Sequence, residues 1–122
     1  MGETVNIREF YQKIGSDYKD VEKRLGSEQL IVRIVSKFVA DPTYAALQEA
    51  FAKEDLQGAF RAAHTLKGVS SNLGFDRLWQ TSSDLTEYLR PGTNPLSGAN
   101  DLLGAVSAAY EAVAAALKEL EL

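Results

Sequence analysis

Apolar residues recur three or four positions apart along nearly the whole chain, and no stretch alternates apolar and polar residues as a surface strand does. Capping residues and glycines divide this pattern into segments of helical length. The pattern predicts a first helix that stops at Gly15, a second from Ser16 or Asp17 to Gly26, a third capped by Ser27, a fourth opened by Asp41-Pro42, a fifth from Asp55 to about Leu73, a sixth from about Asp76 to Leu89, and a last one that carries Leu103 to Leu120.

These elements predict an all-α protein whose core is an up-and-down four-helix bundle with additional short helices at the N-terminus. The last helix carries one apolar seam, which over so few turns closes a bundle more often than it forms a dimeric coiled coil. We therefore expect a monomer with a single domain, residues 1–122. Residues 1–26 are predicted to form the accessory helices and residues 27–121 the bundle.

Composition excludes several classes of site. The chain has 122 residues, no cysteine and one histidine, His64, so disulfide bonds, thiolate nucleophiles and multi-histidine or cysteine-ligated metal sites are excluded. A net charge of −4 argues against nucleic-acid binding. The longest strictly apolar run, residues 112–117, is too short for a membrane span, and the N-terminus lacks the apolar core of a signal peptide. We expect a cytoplasmic protein that binds neither membranes nor nucleic acid.

The fifth predicted helix carries the only histidine. When residues 56–73 are placed on a helical wheel, the apolar side chains fall on the face opposite His64, which argues against a histidine buried in the core. The face that includes His64 also carries Gln57, Arg61, Lys67, Gly68 and Ser71.

Three of these neighbours favour a surface that handles phosphate. Gly68 costs about 1 kcal/mol relative to alanine inside a helix, and it leaves a bare patch one turn after His64 that suits close approach. Lys67 can place its ammonium beside an anion held on the imidazole, and Ser71 adds a hydroxyl on the same stripe. An ordinary docking face carries similar features, so the residues alone leave both interpretations open.

The segment AHTLKGVSSNLG, residues 63–74, resembles the signature of histidine-containing phosphotransfer (Hpt) domains of multistep two-component phosphorelays. That signature has a lysine and a glycine shortly after the histidine, then small polar residues and a glycine that ends the helix. The lead-in from Asp55 and the leucines of the following helix are also similar to the family. The resemblance covers residues 27–90 well.

The resemblance implies a phosphorelay intermediate. His64 would accept a phosphoryl group from a receiver-domain phospho-aspartate, or from a histidine kinase, and pass it to another receiver. The receiver would supply the aspartate and the Mg²⁺, so we expect no cofactor or metal site in this chain and no independent enzyme activity. Expected partners are response-regulator receiver domains and a hybrid histidine kinase. The implied site consists of His64 with Lys67, Gly68 and Ser71, and the implied partner contacts are Gln57, Arg61, Gly68 and Ser71.

One position departs from the family pattern. Many Hpt domains carry a glutamine on the next helix that hydrogen-bonds the histidine and fixes its orientation. A helical hairpin that turns about residue 75 brings position 86 level with His64, and this residue is Thr86, whose side chain is shorter than that of glutamine. Thr86 is therefore the candidate for the residue that orients the histidine.

Two functions from different classes remain open. The alternative to a phosphorelay intermediate is a non-phosphorylated helical adaptor that docks a receiver or a kinase through the same face. Within the first function, the initial methionine and the lack of kinase or receiver motifs favour a free-standing carrier over a piece of a larger kinase.

Overall fold

The computed structural model describes residues 5–120, which are mostly helical, with one isolated parallel bridge between Val5 and Leu120. The predicted all-α architecture is confirmed. The α-helices are α1 (Ile7–Lys13), α2 (Tyr18–Leu25), α3 (Glu28–Lys37), α4 (Thr43–Ala52), α5 (Leu56–Leu73), α6 (Asp76–Leu89) and α7 (Asn100–Glu119), with 3₁₀ turns at Phe38–Ala40 and Leu96–Ala99.

Helices α4 to α7 form the predicted up-and-down bundle. Helix α5 packs extensively against α4 and α6, and α7 packs against α6. The rings of Tyr44 on α4 and Tyr110 on α7 stack with centroids 3.9 Å apart, which closes the remaining side. Tyr44 also donates its hydroxyl to Ser107 Oγ of α7, 2.8 Å away. The apolar seam of α7 therefore closes the bundle within the chain.

The bounds of α5 follow from residues at its two ends. The Asp55 carboxylate accepts a hydrogen bond from the backbone N–H of Gly58 at 2.9 Å, as an N-cap residue does. Gly74 ends the helix with φ at +73°, in the left-handed region that favours glycine. A Cβ atom at Gly74 would also lie 2.3 Å from Val21 Cγ2, so packing requires glycine there as well. The N-cap at Asp55 and the stop at Gly74 therefore set the two ends of α5, and with them the position of its middle residues in the bundle.

The N-terminal helices pack around the turn between α5 and α6. The Tyr11 hydroxyl donates to the carbonyl oxygen of Leu73 at 2.5 Å, and Arg24 Nη1 donates to that of Ser71 at 2.9 Å. Both carbonyls belong to the last turn of α5, where a helix cannot pair all of its acceptors internally. The Ser16 hydroxyl accepts from the backbone N–H of Asp76, 3.2 Å away, at the start of α6. The accessory helices thus stabilise both ends of this turn.

Helix α3 contacts α1 and α2 more than it contacts any bundle helix. In its packing it therefore belongs with the N-terminal helices, although the sequence places it in the range 27–121. The division of a single domain at about residue 26 stays a prediction. Its outer ends, residues 1–4 and 121–122, lie outside the described residues.

Candidate functional site

His64 lies on the exposed side of α5, near the middle of the helix. The opposite side of α5 is buried in the bundle, and Ala63 and Leu66 are fully buried. Within residues 5–120, no hydrogen bond or salt bridge engages the imidazole. A ring nitrogen of His64 is therefore accessible to a reactant from outside the protein.

The other candidate residues on α5 lie on the same exposed strip. Gln57, Arg61, Gly68 and Ser71 are exposed, and Lys67 is half-buried. A Cβ atom at Gly68 would meet nothing within 4 Å outside its own helix, so packing within the chain does not require glycine there. The bare patch beside His64 is open to solvent and accessible to a partner.

Sequence reasoning missed a series of contacts that leads from His64 to α6 through Phe60, Arg90 and Glu87. The rings of Phe60 and His64 have centroids 6.0 Å apart and planes tilted by 35°. The guanidinium carbon of Arg90 lies over the Phe60 ring, 5.6 Å from its centroid. Arg90 Nε also donates to Glu87 Oε2 at 2.7 Å. Two of these contacts had a signal in the sequence, since Phe60 and His64 are four residues apart and Glu87 and Arg90 are three residues apart. The contact between Arg90 and Phe60 joins two helices and had none.

Glu87 is a negatively charged residue whose carboxylate interacts with Arg90, Lys67 and His64. The hydrogen bond from Arg90 lowers the pKa of Glu87 below its ordinary value, and the charges of Arg90, Lys67 and His64 lower it further. Because Lys67 and His64 are on α5 and Glu87 is on α6, the carboxylate belongs to the electrostatic surroundings of the histidine. It is exposed, so these interactions are screened by solvent.

The structure does not support Thr86 as the residue that orients His64. Thr86 is fully buried, and its hydroxyl donates to the carbonyl oxygen of Ser82 at 2.6 Å. Within residues 5–120, no hydrogen bond joins it to His64. The physical reason is the rotation of α6 about its axis: position 86 falls on the same buried stripe as Leu78, Ser82, Leu85 and Leu89. A hairpin that turns about residue 75 predicts which position of α6 is level with His64. It does not predict which face of α6 points toward His64.

The described part of the chain offers no cluster for a metal ion. Among residues 5–120, no three histidine, aspartate or glutamate side chains come together in a way that could hold one. No helix in the same range is long and apolar enough to cross a membrane.

A family model described as the Hpt domain matches residues 40–116, more than half of the chain. The chain belongs to the Hpt family. The match includes α4, α5 and α6 and most of α7, and it contains His64 and every other candidate residue. It begins after α3, so α1, α2 and α3 precede the matched residues. Searches of curated proteins and of solved structures found no significant match.

Membership gives the role in general terms. Hpt domains act in histidine phosphotransfer in two-component signalling, as phosphotransfer carriers rather than classical enzymes, and they typically interact with receiver domains and histidine kinases. The geometry of this Hpt domain is compatible with that role, because its only histidine is exposed near the middle of α5.

Proposed function

We propose that His64 accepts a phosphoryl group from the phospho-aspartate of a receiver domain, or from a histidine kinase, and passes it to another receiver. The accessible imidazole in the middle of α5 is the observation that carries the proposal. In a neutral imidazole, one ring nitrogen has a free lone pair. This nitrogen forms a P–N bond as the P–O bond of the acyl phosphate breaks. The receiver's aspartate leaves as a carboxylate, and the proton stays on the other ring nitrogen.

The residues after His64 have roles that follow from charge and space. Phosphoryl transfer requires in-line positioning and neutralisation of charge on the phosphoryl oxygens. In the proposal, Lys67 supplies a positive charge one turn from the imidazole, and Ser71 supplies a hydroxyl farther along the strip. Gly68 leaves room for the backbone of the receiver to approach.

The Mg²⁺ that such a transfer uses is proposed to come with the receiver. Lys67 is the charged side chain that we propose for the phosphoryl group, and a cation at this position suits phosphate rather than a divalent metal. Contacts with the receiver are proposed for Gln57, Arg61, Gly68 and Ser71. The proposal also places the protein in the cytoplasm as a monomeric carrier.

The test is transfer of labelled phosphate from a phosphorylated receiver domain to the wild-type protein and to His64→Gln. We expect a label on the wild type alone, labile in acid and stable in alkali as a phosphohistidine is. Circular dichroism checks that the variant keeps its helices, as expected for a change at an exposed position. An equal label on His64→Gln would overturn the assignment of His64. Binding of receivers without any transfer to the wild type would instead favour the adaptor.

A further inference from the structure

A cavity of about 310 Å³ opens between the first turns of α5 and the end of α6. Leu56, Phe60 and Leu89 form its apolar lining, and Gln57, Arg61 and Arg90 contribute polar groups. An apolar side chain that entered it would release water from apolar surface, which is favourable.

The cavity lies within the area that a partner docked on His64 must cover. Phe60 and Gln57 precede His64 by about 6 and 10 Å along the helix axis, at about 1.5 Å per residue. A protein partner of ordinary size covers about 800 Å² on each side, which is a disc of about 16 Å radius. The Phe60 ring is also in contact range of the His64 ring. A receiver that reaches His64 therefore reaches this cavity too.

The two arginines at the cavity differ in what they are free to bind. Arg90 is already paired with Glu87 and lies over the Phe60 ring. Arg61 is exposed and has no salt bridge or side-chain hydrogen bond within residues 5–120. A partner that covers an unpaired guanidinium has to supply an acceptor, because a desolvated charge without a counterion is costly. An apolar side chain that fills the cavity, together with a carboxylate that pairs with Arg61, would satisfy both the apolar lining and the unpaired charge.

We propose that this cavity receives a loop of the receiver domain that inserts an apolar side chain between Leu56, Phe60 and Leu89 and places a carboxylate on Arg61. The proposal rests on the proposed function, since it takes a receiver as the partner. In this proposal Arg61 distinguishes between receivers, because it favours those that carry a carboxylate in this loop. His64 and Lys67 act on the phosphoryl group itself.

The test compares two phosphate donors on the full chain. The first donor is a phosphorylated receiver that labels the wild type, and the second is phosphoramidate, a small molecule that needs no docking surface. The variants are Arg61→Glu and Leu56→Gln, with Arg77→Glu as a control that makes the same charge change at an exposed position near the start of α6.

For Arg61→Glu we expect KM for the receiver to rise at least about tenfold, as for reversal of a charge in an interface. The ratio of the receiver-dependent rate to the phosphoramidate-dependent rate should fall in the same proportion. Leu56→Gln should lower that ratio as well, and Arg77→Glu should leave it unchanged.

Three results overturn the proposal in distinguishable ways. If the wild type is labelled on His64 but Arg61→Glu and Arg77→Glu give the same KM, the cavity is not a docking site and the proposed function stands. A parallel fall of both donor rates in Arg61→Glu would likewise place its effect on the chemistry and not on docking. If the label persists in His64→Gln, the proposed function itself fails.

Discussion

Arg24 Nη1 donates a hydrogen bond to the backbone carbonyl oxygen of Ser71, across 2.9 Å, and so joins α2 to the last turn of α5. Asp20 holds the same guanidinium from the other side, with Nε and Oδ2 3.5 Å apart. Ser71 lies two helical turns after His64 on the exposed strip. A helix that precedes the matched Hpt residues, 40–116, thus supports the element that carries His64.

Replacing Arg24 by methionine removes this bond and keeps most of the apolar stem. We expect the free energy of unfolding to fall by about 1 kcal/mol, the contribution of an ordinary hydrogen bond. Urea denaturation followed by circular dichroism measures it. Arg33→Met is the control, since Arg33 is exposed on α3 and has no side-chain partner within residues 5–120. Equal losses in both variants would contradict a stabilising role for the contact between Arg24 and Ser71.

The contact between Tyr11 and Leu73 predicts a pH dependence. Burial raises the pKa of Tyr11 above its ordinary value of about 10. The native state therefore keeps a proton that the unfolded chain releases, so this contribution to stability is present below about pH 10 and is lost as the pH rises further. The loss is at most about 1.4 kcal/mol per pH unit.

Tyr11→Phe lacks both the hydrogen bond and this titration. We expect the wild type to be more stable than Tyr11→Phe at pH 8 and the difference to shrink between pH 10 and 11. Urea denaturation across this range measures the difference. Curves that stay parallel up to pH 11 would show that the hydroxyl does not titrate differently in the folded state.

Gly68 and Gly104, which are exposed on α5 and α7, make a matched pair. A Cβ atom would meet nothing within 4 Å at either position outside its own helix, so Gln fits both. We expect Gly68→Gln and Gly104→Gln each to raise the free energy of unfolding by about 0.5 kcal/mol, because glycine is a poor helix former. Gly68→Gln alone should obstruct transfer from a receiver. Unaltered transfer to Gly68→Gln would contradict the prediction that the receiver approaches the helix closely at position 68.

The charges of Glu87 and Lys67 should have opposite effects on the phosphorylation of His64. Glu87→Gln removes a negative charge that faces His64 and frees Arg90, so the equilibrium between receiver and protein should shift several-fold toward the phosphoprotein. Lys67→Ala should slow acceptance without unfolding the bundle. Both effects should weaken as salt is added, since the Debye length is about 10 Å at 0.1 M.

The control for Glu87→Gln is Glu49→Gln, which breaks a similar exposed ion pair, with Lys53, on α4. Its effect on the phosphorylation equilibrium should be small. If Glu49→Gln shifts the equilibrium as far as Glu87→Gln does, net charge and not the position of Glu87 accounts for the shift.

Much of the fold could be predicted because its signals are local. The N-cap at Asp55, the glycine stop at Gly74 and the bounds Asp76–Leu89 of α6 each depend on residues within one helical turn, and the structure contains all three. The exposed position of His64 could be predicted for the same reason, since periodicity along α5 alone decides which face is buried.

The contacts between helices could not be predicted in this way. The bonds from Tyr11 to Leu73 and from Arg24 to Ser71 span 62 and 47 residues, and no local pattern encodes them. The rotation of α6 was a different case, because Thr86 shares a helical period with Leu78, Leu85 and Leu89. A helical wheel drawn for α6 would have placed Thr86 in the core. The midpoint of the hairpin gives only the level of a residue along the helix and not the face on which it lies.

The central claim is that His64 carries a phosphoryl group between receivers, and a chase tests it most directly. The wild-type protein is labelled, freed of its donor and mixed with a second, unphosphorylated receiver domain. We predict that the label leaves the phosphohistidine and is found on the receiver, faster than it is lost by hydrolysis without the receiver. A label that stays on the protein with every receiver that docks on it, or that disappears at the same rate with and without them, would contradict the account.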